Sequence, residues 1–317
     1  MGRRRPRVVA VGDAIVDLVT PPLPAIPHGE DFQGHVPALD ALPGGNATNF
    51  ALGIASLGAR TSFVGAIGAD PNGAILRRAY RRYGVRALLR VDSHRPTGAT
   101  MALTWSAGGR ALITALGANA SLALRDVPSR QFDSSDHLHR SGFWWTQRLI
   151  GRPTSVLLAR ARRRGLTTSL DVSTDPHGWP DDRVEAVRAC LPNVTTFFGS
   201  EVEVCAVAGG GSPIKAAGRL RSLGPDEVVV HQADRGATVV HGSGRTASAA
   251  FSVPVDNPTG CGDVFNAGYV YARLIGADLS DALRFGNAAA ALHLRDRRRP
   301  YPTAAEVRRL ARTSTRP

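Results

Sequence analysis

Along the chain, short apolar runs alternate with longer stretches in which apolar positions recur at helical spacing. Val8–Val11, Thr61–Val64, Thr167–Asp171, Thr195–Phe198 and Val228–His231 are rich in β-branched and aromatic residues and predict strands. Ala47–Leu57, Ile75–Tyr83, Pro153–Arg164, Ile214–Leu223 and Val264–Ile275 predict helices. Apolar strands separated by helices belong in a mainly parallel sheet covered on both faces. Ligands of such a sheet gather at the carboxyl ends of its strands. Two stretches break the rhythm. Residues 17–42 are proline-rich with little helical period, and Thr100–Trp105 and Ala111–Thr114 flank Ala107-Gly108-Gly109-Arg110 as a hairpin flanks its glycine turn.

Two glycine-flanked turns carry candidate chemistry. Asn257-Pro258-Thr259-Gly260-Cys261-Gly262-Asp263 leads into a helix. Small residues at 260–262 let backbone N–H groups converge on an anion, and the helix adds its positive end. Phosphoryl transfer asks a protein for alignment, charge stabilisation and a carboxylate to accept a hydroxyl proton. Asp263 beside such an anion hole meets the last two demands, and that role requires no large displacement of its pKa. Taken alone, the segment is also a tight connection with Asp263 capping a helix. Pro43-Gly44-Gly45-Asn46-Ala47-Thr48-Asn49 is a second glycine pair opening a second helix.

With these motifs the chain resembles the PfkB or ribokinase family of carbohydrate kinases, in the family's order and over most of its length. Val8-Val9-Ala10-Val11-Gly12-Asp13 with Asp17 is similar to the opening strand and its substrate-contacting aspartate. Gly44 to Asn49, then Leu57-Gly58, Val64-Gly65, Ile67-Gly68-Ala69-Asp70 and Gly73, resemble the N-terminal signature. Thr97-Gly98 and Gly117-Ala118-Asn119-Ala120-Ser121-Leu122 fit the middle section, and Asn257 to Asp263 with Phe265, Ala267 and Gly268 the C-terminal one. The resemblance implies a three-layer α/β/α, ribokinase-like fold with a small β lid. The core would span 1–17, 43–96 and 115–317, and the lid insertions 18–42 and 97–114. A lid that closes on substrate excludes water, and in the family it often forms a homodimer interface.

Roles follow residue by residue. Asp263 is the expected catalytic base, and Gly260, Cys261 and Gly262 the expected N–H donors to the phosphoryl group. Asp17, Gly44, Gly45 and Asn49 match sugar-contacting positions; carboxylates and amides suit a polyol. Ser200, Glu203, His231, Ala233, Gly236 and Asn287 match the nucleotide side, with Glu203 organising Mg2+ through water. Three positions depart from the family pattern. Ser200 stands where an asparagine is usual, Ala233 where a glycine is usual, and Asn257 where an aspartate is usual in a region that binds a monovalent cation in relatives. ATP and Mg2+ are therefore the expected cofactors, and K+ is a doubtful one. Cys261, at a helix start, is either a small apolar substitute or a thiol activated by its position.

Composition narrows the rest. A 317-residue chain that is 43% hydrophobic can bury a large core. Cys190, Cys205 and Cys261 are odd in number and scattered, which points to a reducing, cytoplasmic setting without a disulfide framework. Asp13 and Asp17 interrupt the apolar run behind Arg3, Arg4, Arg5 and Arg7, so no signal peptide is expected, and no run is long enough for a bilayer. Net charge is +13, and Lys215 is the only lysine. The arginine runs 3–7, 160–164 and 295–299 lie outside the motifs and lack the interleaved aromatics that stack bases, which argues against a nucleic-acid partner. His137 and His139 lie in a loop-like stretch with no further ligand at metal spacing. Gly209-Gly210-Gly211 lacks a Walker ending, and Gly12 stands alone. Asp171 and Asp175, after a strand, face the ligand edge. The expected activity is ATP-dependent phosphorylation of a small sugar, ribokinase- or fructokinase-like. An adenosine-type nucleoside kinase, with Phe32, Trp105, Trp144 or Trp145 as an apolar slot, is the alternative enzyme. A catalytically weak sugar sensor or a nucleic-acid-binding protein is the alternative outside enzymes.

Overall fold

The computed structural model describes residues 4–24, 34–106, 110–256 and 258–313. Asn257, Phe32, Arg3 and the expected turn residues Ala107, Gly108 and Gly109 lie outside the described residues. The first half of the chain runs β1 (Arg7–Val11), β2 (Ile15–Val19), β3 (Asp40–Gly44), α1 (Asn46–Ser56), β4 (Arg60–Gly68), α2 (Pro71–Arg82), β5 (Arg86–Asp92), β6 (Gly98–Thr104) and β7 (Arg110–Ala115). It continues with β8 (His137–Arg140), α3 (Arg152–Arg162), β9 (Thr167–Asp171), α4 (Asp181–Arg188), β10 (Thr196–Ser200), α5 (Glu201–Ala208), α6 (Pro213–Ser222) and β11 (Glu227–His231). The last elements are β12 (Ala237–His241), β13 (Gly244–Ser248), α7 (Cys261–Leu274), α8 (Leu279–Leu294) and α9 (Ala304–Ala311).

Among the described residues nine strands form one sheet in the order β13-β12-β11-β10-β9-β8-β1-β4-β5, parallel from β5 to β11 and antiparallel at β12 and β13. Its central strands are buried on both faces, while the edge strands β5 and β13 are partly exposed. Val8 and Ala10 join one core with Phe50, Tyr80, Tyr269 and Phe265, under α1, α2, α7 and α8. Val9 and Val11 join the opposite core with Leu157, Leu170, Phe197 and Leu220, under α3, α5 and α6. The period-two alternation of a strand thus feeds two apolar layers at once. Helix starts have identifiable causes: Asp70 accepts from the Gly73 N–H at 2.8 Å just before Pro71 at the first position of α2.

A second sheet, in the order β3-β2-β6-β7, stands over the carboxyl ends of the first. β2 pairs with β6 in parallel and with β3 antiparallel, while β6 and β7 form the expected hairpin. The stretch read as irregular therefore begins and ends in strands, and β2 runs across the boundary drawn at residue 17. Its short alternation was masked by the prolines that follow. The loop reading of His137 and His139 is corrected as well: both lie in β8, fully inside the sheet. Their ring nitrogens meet Thr167 and Ser169 hydroxyls at 2.7–2.8 Å, and burial pushes the His137 pKa down to about 3. Polar side chains that pair with one another, with His139 Nε2 left without a partner, occupy positions where periodicity expects apolar ones.

Candidate active site

Beyond the carboxyl end of β1, between the N-termini of α1 and α7 and beneath the second sheet, lies a cavity of about 120 Å³. Asp17 and Ile15 of β2, Thr100 of β6, and Leu112 and Thr114 of β7 line its lid side; Asp13, Asn49 and Asp263 line its base. Asp17 is 7% exposed. A side chain on Gly44 would come within 2.2 Å of Asp17 Oδ2, so only glycine lets β3 pass that carboxylate. Asp13 closes the floor by accepting from the Asn46 and Ala47 N–H groups at 3.1 and 2.9 Å, which caps α1 after Gly45. Behind it the buried Arg140 guanidinium holds Thr146 and Thr154 and offsets part of the Asp13 charge.

α7 begins after Gly260, whose φ of +83° is a backbone conformation natural to glycine. Cys261, Gly262 and Asp263 form its first turn, where N–H groups have no acceptor inside the helix and the dipole is positive. The Asp263 carboxylate is 5% exposed and accepts from Asn46 Nδ2 at Oδ1 and from Asn49 Nδ2 at Oδ2, each at 3.2 Å. The Tyr301 hydroxyl donates to Asn49 Oδ1 at 2.7 Å. With its carbonyl engaged there, the Asn49 amide turns its N–H toward Asp263. Burial first, then the Asp171 and Asp13 carboxylates, push the Asp263 pKa well above the ordinary carboxylate range, against the lowering by Asn49 and Asn46. The displacement is upward and well beyond what the expected role requires, because acids from β9, the β1–β2 turn and α7 converge in one buried region.

On the other side of α7, Ser200 and Glu203 form a reciprocal cap of α5: Glu203 N–H donates to Ser200 Oγ at 3.3 Å, and Ser200 N–H to Glu203 Oε2 at 2.7 Å. Glu203 Oε1 accepts from the Thr174 hydroxyl at 2.9 Å. Asp171 Oδ2 accepts from Asn266 Nδ2 at 2.6 Å, and Asn266 Oδ1 lies 3.0 Å from His231 Nε2. Burial and the Glu203 charge push the Asp171 pKa up to about 7. Asp171 and Glu203 are hard oxygen donors, a chemistry that fits Mg2+. Among the described residues no group of three or more His, Cys, Asp or Glu is placed to ligate a metal directly, so such an ion would be held through water and phosphate.

The remaining nucleotide-side positions lie along β11 to β13. Ala233 follows β11 with φ +53°, a left-handed conformation adopted by an L-residue where the resemblance expects glycine. Gly236 precedes β12, and its carbonyl accepts from the Gln232 N–H at 2.8 Å. Asn287 of α8 donates to the Ser248 and Ala249 carbonyls at 2.9 and 3.1 Å, which ties α8 to the end of β13. Asp175 is held by Arg183 Nε at 2.7 Å and is a loop anchor. The structure thus gathers Asp17, Gly45, Asn49, Gly260 and Asp263 around one cavity, with Gly44 packed behind Asp17 rather than lining it. Asn46, Asp13, Asn266 and Tyr301 are further site residues that sequence reasoning did not assign. Asn46 lay inside the glycine motif, whereas nothing local marks Tyr301.

A buried carboxylate in the first turn of a helix, under a small second sheet on an α/β/α core, is an arrangement suited to phosphoryl transfer to an alcohol group. A sequence profile described as pfkB family carbohydrate kinase matches residues 5–299, and the chain belongs to that family. It is 26% identical over 242 residues to an uncharacterized sugar kinase of Archaeoglobus fulgidus, covering 76% of this chain and 93% of that one. It is 27% identical over 257 residues to the ribokinase of Haemophilus influenzae, covering 78% and 80% of the two chains. Its fold matches that of Arabidopsis thaliana ribokinase complexed with ribose and ATP, with a TM-score of 0.79 at 20% identity over 98% of this chain and 100% of that one. Among the described residues no helix is long and apolar enough to cross a membrane.

Proposed function

We propose that this carbohydrate kinase transfers the γ-phosphoryl group of ATP to a hydroxyl of a small sugar held between Asp17, Asn49 and Asp263. The observation that carries the reading is the Asp263 carboxylate, held by two amides in the first turn of α7 and facing the same cavity as Asp17. Asp263 takes the hydroxyl proton as the sugar oxygen forms its bond to phosphorus and the bond to the β-phosphate oxygen breaks. The N–H groups at Gly260, Cys261 and Gly262 face the phosphoryl oxygens as charge builds. Mg2+ bound through Asp171 and Glu203 would neutralise the phosphates. The lid strands exclude water, which would otherwise take the phosphoryl group. Trp145, which also lines the cavity, favours a riboside as the second reading, since a base needs an apolar slot.

The same reading includes a homodimer through the lid. Thr100, Leu112 and Thr114 face the cavity, so their neighbours Met101 and Ile113, opposite each other in register, turn outward with 43% and 68% of their surface exposed. The activity test is ADP formation from ATP and Mg2+ against ribose, fructose, 2-keto-3-deoxygluconate, adenosine and other nucleosides, with Asp263→Asn as control. Turnover that collapses in the variant is the expected result. Saturable sugar binding without turnover would move the protein to a sensor.

A further inference from the structure

A second cavity, of about 410 Å³, opens beside the first, and Asp17, Asn49 and Thr259 line both. Its wall is cationic. Arg78 and Arg82, four residues apart on one face of α2, meet Arg297 and Arg298 from the segment after α8. Asp17, at the end that joins the acceptor cavity, is the only carboxylate among the described lining residues.

The arginines differ in what they already hold. Arg297 is fixed, with Nε 3.0 Å from Asp256 Oδ1 and a second contact to Asp40 at 3.6 Å. The side chains of Arg78, Arg82 and Arg298 make no ion pair among the described residues and are solvent-accessible. Elsewhere on this arginine-rich surface some side chains, such as Arg164, Arg188 and Arg235, sit on carboxylates and others, such as Arg77, Arg81 and Arg163, make no ion pair among the described residues. What sets Arg78, Arg82 and Arg298 apart is that they share one cavity. Arg82 also lies over the Tyr83 ring at 5.7 Å, and the Arg298 charge acts on Asp256. No carboxylate of the described residues lies within ion-pair distance of the three guanidinium groups, however, and like charges in one concavity favour an entering anion. The space is framed by rings that do not compete for that anion: Tyr83 and Tyr301 meet edge to face at 5.2 Å.

Size points the same way. A neutral sugar that fills the cavity of about 120 Å³ at Asp263 leaves the adjoining one of about 410 Å³ empty. We propose that the acceptor is a sugar bearing an anionic substituent, phosphate or carboxylate, whose reacting hydroxyl lies at Asp263 while its anionic arm passes Asp17 and Asn49 to Arg78, Arg82 and Arg298. This rests on the kinase reading and names its substrate class. The transfer step is unchanged: the hydroxyl proton goes to Asp263, the new oxygen–phosphorus bond forms, and ADP leaves. The product is a sugar bisphosphate or a phosphorylated sugar acid.

The test sets ribose 1-phosphate and 2-keto-3-deoxygluconate against ribose and fructose, with the full chain, ATP and Mg2+; the first two tell phosphate from carboxylate. One anionic acceptor should exceed both neutral sugars in kcat/KM by about a hundredfold, and its KM should rise with ionic strength. Arg78→Gln/Arg82→Gln should raise that KM about a hundredfold, roughly tenfold for each charge-assisted contact, with kcat changed less than about threefold. Because both residues are exposed, an unchanged thermal midpoint certifies the fold. Neutral sugars used as well as anionic ones, or a double variant with an unaltered KM, would overturn the anionic subsite while leaving the kinase intact. If no acceptor is turned over, the kinase reading fails, and calorimetry with ribose 1-phosphate decides the subsite: binding lost in the double variant sustains it, and absence of binding by the parent chain removes it.

Discussion

Replacing Asp263 by asparagine removes one proton-accepting group and leaves the side chain nearly the same size. General-base catalysis contributes about 10²–10⁴ in rate, so kcat should fall by that factor, about 3–5 kcal/mol of barrier. Stability should move the other way. In the parent chain two amide groups point N–H at the carboxylate, and the variant's own amide leaves one of them without its acceptor, a loss of about 1 kcal/mol. Against that, the substitution removes a buried charge repelled by Asp171 and Asp13. A carboxyl whose pKa is raised in the folded state stabilises the fold most when protonated, below its unfolded pKa of about 4, and that contribution is lost as pH rises through the folded value. The variant should therefore melt higher than the parent at pH 8, with the gain shrinking toward pH 4. The parent's kcat should rise with pH as Asp263 ionises, and the variant's residual rate should lose that limb. Steady-state ADP release and thermal melts across pH check both. A variant that keeps more than a tenth of kcat, or one that loses activity and melts several degrees lower at pH 8, refutes the assignment of Asp263 as base.

Tyr301→Phe removes the hydroxyl that orients Asn49 and leaves the ring; kcat should fall about tenfold, with about 1 kcal/mol lost in denaturant unfolding. An unchanged kcat would separate Tyr301 from the chemistry. Ala233→Gly relieves a left-handed backbone at φ +53° and should stabilise the fold by about 0.5–1 kcal/mol in urea titration, since an L-residue there costs about 1–2 kcal/mol and glycine's added chain entropy takes part of it back. K+ should be dispensable. The His293 ring nitrogens lie 2.7 and 2.6 Å from the Thr259 and Pro300 carbonyls and Arg297 holds Asp256, so replacing K+ with tetramethylammonium should change kcat/KM less than about twofold.

What the sequence made legible was local. The turns opening α1 and α7 could be read because their glycines answer to backbone geometry and close approach, and those demands leave a mark at the position itself. In the large sheet the half-exposed edge strands β5 and β13, and β12 beside the latter, were not read, whereas five central strands, β1, β4, β9, β10 and β11, stood out because burial on both faces makes them apolar. β2 did not, since its five residues stand beside a proline-rich run, and β8 did not, since His137, His139 and Arg140 are buried by satisfying Thr167, Ser169, Thr146 and Thr154 rather than by being apolar. The raised pKa of Asp263 was out of reach for a related reason. It depends on burial first and then on Asp171 and Asp13, which only the folded chain brings near.

Tyr301 and Asn49 are 252 residues apart. On a ribosome, α1 emerges long before the segment that aims its amide, and α7 reaches its place against α1 while that segment is still being made. A nascent chain can therefore fold much of its sheet without owning an oriented base. Full competence arrives late, so a chain arrested before residue 301 would lack the hydroxyl that aims Asn49 and would transfer phosphoryl groups slowly rather than at the finished enzyme's rate.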